Sequence, residues 1–335
     1  AVFDLGANSL SVTGSIDNTG GTLRFSGSTN ALAVPTGTVE YYGASQTVAS
    51  GSYRNLTINQ SSGDASQVGN VQVDDVLTIN SGRLNLQNHV LTIGVGGTIS
   101  ISPSAARMII ATGGGEVRKA VSGDGSFLFP IGDNTGAFDY SPVTVNFTGS
   151  GYTSAYVSAS VTDAKHPSNA SPTHFLSRYW SILTSGIASS SISVSGTYVG
   201  ADVVGAVGQI SAAAAINPPV NPWQKFGLVG GTVATTSIAV TDGEPTFFTG
   251  VTSGNPTAAA GSDVSICTGG TVILGGSPTA TGGVGGYTYS WSPSSGLSAT
   301  SVANPVLTGV SSGVTNYTVT VTDANGAVAT AGVQV

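Results

Sequence analysis

Between Tyr53 and Gly94 one short phrase keeps returning. It reads Asn55-Leu-Thr-Ile-Asn59, then Val76-Leu-Thr-Ile-Asn80-Ser-Gly82, then Val90-Leu-Thr-Ile-Gly94, with Leu84-Asn-Leu86 between the last two. Each copy alternates apolar and polar side chains and stops at Asn or Gly. Successive strand side chains point to opposite faces, so the pattern buries one face of a short strand and ends it in a turn. Leu56, Leu77 and Leu91 hold the same place in their copies, 21 and then 14 residues apart. Copies that recur with nothing helical between them bury their apolar faces by stacking. The spacing therefore predicts an irregular β-solenoid or stacked-hairpin array built from coils of unequal length. A flat sandwich is the other arrangement that such strands allow.

The composition decides against disorder. Of 335 residues 48 are Gly and 14 Pro, and only 7 % are charged, yet 40 % are apolar. Disordered chains show low hydrophobicity with high charge, the opposite balance, and here the apolar residues fall in short alternating runs. An all-β protein rich in Gly turns fits both facts. The length suits two or three domains. The net charge is −7, and no Lys or Arg follows Lys225. Such a surface has little with which to neutralise phosphates, which argues against nucleic-acid binding. No apolar run approaches the ~20 residues of a membrane helix, so membrane insertion is not expected. The one cysteine, Cys267, cannot form an internal disulfide. A start at Ala1, without initiator Met or signal peptide, is expected of mature or excised material.

Three regions follow from the grammar of the chain. Residues 1–115 carry the solenoid-like repeats. Larger aromatics enter near 112–120, and clean alternation at 117–121, 126–131, 142–148 and 154–162 predicts a β-sandwich over 116–252 packed on the array. Ala212–Ala215 is helix-permissive but isolated, and Pro218-Pro219 ends it. After the linker Thr252-Ser-Gly-Asn-Pro256, residues 259–335 read as a small separate sandwich. There Trp291 is expected to pack across to the facing sheet against Tyr317 or Val319. Asn325-Gly326 favours a tight type I′ hairpin.

Reactive side chains concentrate only at 163–186, with Asp163, Lys165, His166, His174, Arg178, Tyr179 and Trp180. Zinc or acid–base chemistry at the two histidines needs a third group held rigidly. No Glu or Cys lies in the stretch, so Tyr179–Ile182 reads as a core strand, Arg178 as a paired or turn-capping residue, and the chain as a non-enzyme. Gly309-Val-Ser-Ser-Gly313 matches a nucleophile-elbow pattern, but that pattern has meaning only between a strand and a helix of an α/β sheet. Tyr41, Tyr42 and Tyr53, with Trp223 and Phe226, are candidates for a sugar-stacking face. Such rings are more often core or edge aromatics of a sheet. Asp263 and Asp323 are candidates for a weak calcium site completed by backbone carbonyls; no other cofactor is expected.

At the C-terminal end the residues carry a resemblance. Ala260-Gly-Ser-Asp263-Val-Ser-Ile-Cys267, Tyr287-Thr-Tyr-Ser-Trp-Ser-Pro-Ser-Ser-Gly-Leu297, Val302-Ala-Asn-Pro305 and Asn316-Tyr-Thr-Val-Thr-Val-Thr-Asp-Ala-Asn-Gly326 closely resemble the PKD/Ig-like repeats of giant secreted proteins of Bacteroidota, gliding-motility adhesins among them. The likeness covers about the last 77 residues. Upstream, Thr38-Val-Glu-Tyr41, Tyr53-Arg-Asn-Leu-Thr-Ile58, Gly132-Asp-Asn-Thr-Gly-Ala137, Tyr140-Ser-Pro-Val143, Lys165-His-Pro167 and Arg178-Tyr-Trp-Ser181 look like a segment recurrent in surface proteins of the same group. The resemblance implies type IX secretion, and a place at the cell surface or outside the cell. It also implies a cysteine partner just after the Asn-Gly turn, where this chain has Ala327. The expected function is a non-enzymatic structural or adhesive segment, a stalk or fibre component. Its expected partners are neighbouring modules of the same polypeptide or copies of itself. The alternative is a carbohydrate-binding accessory module that meets surface polysaccharide.

Overall fold

The computed structural model describes residues 2–7, 21–26, 36–216 and 223–335. These residues form strands and turns, with 3-10 turns at Gly200–Asp202 and Val207–Gln209 and no α-helix. The all-β reading holds, and its first part is a β-solenoid of about five turns. Ten strands build that part: β1 (Val2–Asp4), β2 (Thr22–Phe25), β3 (Thr38–Ala44), β4 (Thr47–Val48), β5 (Gly51–Gln67), β6 (Val71–Asn85), β7 (Val90–Ile93), β8 (Thr98–Ile101), β9 (Ile109–Ile110) and β10 (Glu116–Ala120). They stack in parallel on three faces. On the first face Phe3, Leu23, Val39, Leu56, Leu77 and Ile99 follow one another in register. On the second, β4, the end of β5, the end of β6 and β9 stack. On the third, the starts of β5 and β6 are followed by β7 and β10.

Strands β5 and β6 therefore bend through all three faces. The Asn80-Ser-Gly82 end of the phrase is one of the corners. Gly82 has φ +74°, and a Cβ there would meet the Gln60 side chain at 2.6 Å. Only glycine takes this corner without strain. The uneven spacing of the phrase now has a geometric reason. Leu56 stacks under Leu77, one whole turn away, but Leu91 pairs with Val71 on the third face. The residue that stacks on Leu77 is Ile99. Fourteen residues carry the chain round two corners, whereas a full turn takes about twenty.

The last solenoid strand starts the next region. Strand β10 runs parallel to β7 on one side and antiparallel to β15 on the other. The strands after it are β11 (Gly125–Phe129), β12 (Ile131–Asp133), β13 (Asp139–Tyr140), β14 (Val143–Thr148), β15 (Gly151–Thr162), β16 (Phe175–Leu176), β17 (Tyr179–Ala188) and β18 (Ser191–Thr197). Then come β19 (Val203–Val204), β20 (Ile210–Ile216), β21 (Gln224–Leu228), β22 (Thr232–Ala234), β23 (Ile238–Ala239) and β24 (Pro245–Thr252). From β10 the sheet continues antiparallel through β15, β17, β24, β20 and β21. A second sheet, β11, β14 and β18 with β22 and β23, forms beside it, and β16 pairs β19. Meanwhile β12 returns to the second solenoid face, parallel to β9, and pairs β13 on its other side. One hydrophobic core runs unbroken from Leu23 to Phe248. The 115/116 boundary thus falls at the start of β10, a strand that both regions share. The Ala212–Ala215 run, helix-permissive in sequence, is a buried strand between β24 and β21, because its small side chains fit where both faces are covered.

The C-terminal region has a core of its own, built from residues between Ala260 and Val333 that include Leu274, Trp291, Leu307, Tyr317, Val319 and Val321. Its strands are β25 (Pro256–Ala258), β26 (Thr271–Ile273), β27 (Ala280–Gly282), β28 (Thr288–Ser292), β29 (Val306–Thr308), β30 (Asn316–Thr322) and β31 (Val328–Gln334). Trp291 is buried, but Val319 is its cross-strand partner in the same sheet, β28–β30–β31, rather than a residue of a facing one. The hairpin between β30 and β31 is not type I′, which needs positive φ at both central residues; of Asn325 and Gly326 only Gly326 has it. The Asp323 carboxylate accepts hydrogen bonds from the N–H groups of Asn325 and Ala327 and shapes the loop instead. Cys267 is exposed. It lies three residues past Val264, which bonds to Gln334 at one end of β31, whereas Ala327 precedes the other end. The two positions do not face one another.

That hairpin loop joins the terminal region to the middle one. Asn325 is buried; its Oδ1 accepts from Ala170 N–H at 2.8 Å and its Nδ2 donates to Ser171 Oγ at 2.9 Å. Its carbonyl accepts from Trp223 N–H, and the Trp223 indole N–H donates to Ser168 O. Lys225 Nζ donates to Gly254 O at 2.7 Å, across the linker.

Candidate functional site

The densest charged group is centred on Arg178, which immediately precedes β17. Its side chain is fully buried and meets four carboxylates. Nε lies 2.7 Å from Asp202, one terminal nitrogen bonds Asp133, and the other lies 3.3 Å from Asp139 and 3.5 Å from Asp163. The β12–β13 ladder brings two of them together, because Asp133 and Asp139 are directly paired. Asp163 follows β15, and Asp202 ends the short 3-10 turn. Asp202 also accepts from Val199 N–H, and Asp133 from Thr135 N–H. Burial works against the Arg178 charge, but the hydrogen bonds to Asp202 and Asp133 outweigh it and hold its pKa above the ordinary value. Burial raises the Asp163 pKa; Arg178 offsets this in part, and the neighbouring carboxylates add to it. Carboxylate oxygens of Asp133, Asp139 and Asp163 lie within 4.8 Å of one another. The sequence pointed to Asp163 and Arg178. It gave no sign of Asp133, Asp139 and Asp202, which reach Arg178 only through strand pairing and a distant turn.

The two histidines of this stretch have separate, structural roles. His166 is buried among Tyr179, Trp223 and Phe247, and its Nδ1 accepts from Ser168 N–H. His174 Nδ1 accepts from Ala206 N–H.

Of the five aromatic candidates, Tyr41, Tyr53 and Trp223 are buried. Tyr41 and Tyr53 meet inside the solenoid with hydroxyl oxygens 3.0 Å apart, and Tyr53 donates to Ala49 O. Tyr42 is half-buried, with the Arg24 guanidinium 4.1 Å above its ring and its hydroxyl donating to Asp4. Phe226 is half-buried against the main core. These five rings do not make an exposed stacking row, because three are buried, Tyr42 lies under Arg24 and Phe226 packs on the main core.

The calcium candidates are also placed apart. Asp263 is exposed and accepts from Gln334 N–H at 2.8 Å. Asp323 is buried, and three backbone N–H groups, of Val284, Asn325 and Ala327, occupy its carboxylate. Asp263 lies by Gln334 at one end of β31 and Asp323 by Ala327 at the other, so the two carboxylates do not meet at one site.

Two open hollows flank the seam between solenoid and sandwich. One, of about 440 Å³, includes Arg118, Tyr152, Ser154 and Tyr156 in its lining. In that lining Arg118 pairs with Glu116 and lies over the Tyr156 ring, and Tyr152 donates to Asp124. The other, of about 240 Å³, is lined by Asn85, Gln87, Asn88, Thr112, Gly113 and Asn134. At the same seam Lys119 Nζ donates to the carbonyls of Gly94, Val95 and Gly97, fastening a solenoid corner to β10. Among the described residues no helix is long and apolar enough to cross a membrane. Compared with known protein families, characterised proteins and solved structures, the chain matches none.

Proposed function

We propose that this chain is a rigid structural segment of a large secreted or surface-displayed protein, of the adhesive kind that its C-terminal phrases resemble. It would act as a stalk or fibre component that sets other modules at a distance. One observation supports this above the rest: β10 belongs at once to the solenoid and to the sandwich, so one sheet and one core run through both. A hinge needs a segment with few crossing contacts; here a paired strand and a shared core occupy that position. In this reading the segment is not an enzyme, and His166 and His174 serve the packing and turn contacts described above. The expected partners are adjoining modules of the same polypeptide or further copies, outside the cell.

Small-angle scattering of the chain in dilute solution tests the reading. A stalk segment should give a radius of gyration well above the roughly 20 Å of a compact globule of 335 residues. A compact profile would overturn the stalk.

A further inference from the structure

We propose that Asp133, Asp139 and Asp163 hold a divalent, oxygen-seeking cation of the calcium class beside the Arg178 guanidinium. Three observations lead there. The first is charge. Four carboxylates surround one guanidinium, and no other Lys or Arg pairs with any of the four among the described residues. Four negative groups against one positive leave three charges uncompensated in a site where Arg178 and Asp133 have no solvent exposure at all. Buried charge is retained only when it is paired or coordinates a metal.

The second is geometry. Oxygens sharing one calcium ion at 2.3–2.6 Å lie no more than about 5 Å apart, and the three carboxylates each offer an oxygen within 4.8 Å of the others. Asp139 and Asp163 are each about a fifth exposed, which leaves an approach from solvent. Among the described residues Asp163 accepts no hydrogen bond and meets Arg178 only at 3.5 Å, so its oxygens remain available. The donors are all carboxylates, without His or Cys, which favours a hard cation over zinc or copper.

The third is Ser141. It is completely buried, and its Oγ has no hydrogen-bond partner among the described residues. Its N–H donates to Ile131 O, which extends the β12–β13 ladder by one residue beyond Tyr140, two beyond Asp139. Two residues along a strand return to the same face, so the Ser141 side chain shares the face of Asp139 and Asp133. A cation there, with its remaining water ligands, would give that hydroxyl the partner it lacks. This site is distinct from Asp263 and Asp323 in the C-terminal region.

The test uses the full chain after removal of metal with a chelator. Trp180 donates its indole N–H to Ser141 O at 2.9 Å, so it is placed to sensitise terbium emission. Terbium titration should give sensitised emission that calcium displaces, and calcium alone should bind with a Kd of about 10⁻⁴ to 10⁻³ M and raise the melting temperature. Asp163→Asn should weaken binding by about tenfold or more. Ser141→Ala should weaken it several-fold while the calcium-free melting curve stays in place, because no hydrogen bond is lost. Asp263→Asn should bind as the parent does. The proposal is overturned if the parent chain gives neither calcium heat nor sensitised emission. It is equally overturned if binding survives Asp163→Asn and Ser141→Ala undiminished, or if Asp263→Asn abolishes it. Should Asp163→Asn fail to fold, Ser141→Ala decides alone.

Discussion

His166 sits with ring centroids of Tyr179, Trp223 and Phe247 at 4.8, 5.2 and 4.6 Å, and its Nδ1 is an acceptor, which only the neutral imidazole provides on that nitrogen. Burial lowers its pKa from the ordinary value. The unfolded chain therefore takes up the proton first, near pH 6.5, and stability contributed by the neutral ring is present above that pH. It is lost as the pH falls from about 6.5 toward the folded-state pKa. In urea melts at pH 7 and pH 5, the parent should lose more stability than His166→Phe, whose ring does not titrate. Equal losses would show that His166 is not the group responsible. From sequence His166 was legible as reactive, but its burial was not. Trp223 and Phe247, which enclose it, lie 57 and 81 residues away along the chain, and nothing local marks them as its neighbours.

Among the elements, β6 shows what a repeat can and cannot convey. Its alternation, its apolar positions and its glycine corner were all readable, since each rests on two or three adjacent residues. That Leu91 lies on a different face from Leu77 was not, because the phrase is identical on two different faces. Only the number of corners crossed distinguishes them. The stack makes a graded prediction. Leu77 is fully buried between Leu56 and Ile99, whereas Ile99 is only half-buried. Leu77→Ala should cost about 2–5 kcal/mol of unfolding free energy, and Ile99→Ala clearly less. Denaturant unfolding followed by far-UV circular dichroism measures both. Equal costs would mean that the coil interior relaxes around the cavity instead of holding its shape.

For the whole molecule, the joint at Asn325 sets how the terminal region sits on the middle one. Asn325→Ala removes two buried side-chain hydrogen bonds and leaves the Ala170 N–H and Ser171 Oγ without those partners, a loss of about 1–3 kcal/mol for each buried group left unpaired. Calorimetry of the parent should give coupled melting, and Asn325→Ala should split off a lower transition for the terminal region. Cleavage at the 252–256 linker should rise in parallel, with circular dichroism unchanged. An unsplit transition would place the coupling elsewhere, in Lys225 or Trp223. The same loop shows where local reading ends. Asn-Gly announced a turn there, yet the turn type followed from the Asp323 carboxylate and from what Asn325 binds in another region. By itself the sequence determined the β-class, most strand positions and the separate terminal core, and it favoured stacked coils, because period-two alternation and Gly turns act over a few residues and report burial directly. Tertiary structure alone decided which coils share a face, that one sheet crosses from solenoid to sandwich, and that four aspartates converge on Arg178. Those outcomes depend on pairing between segments far apart in sequence, and no short-range pattern carries that information.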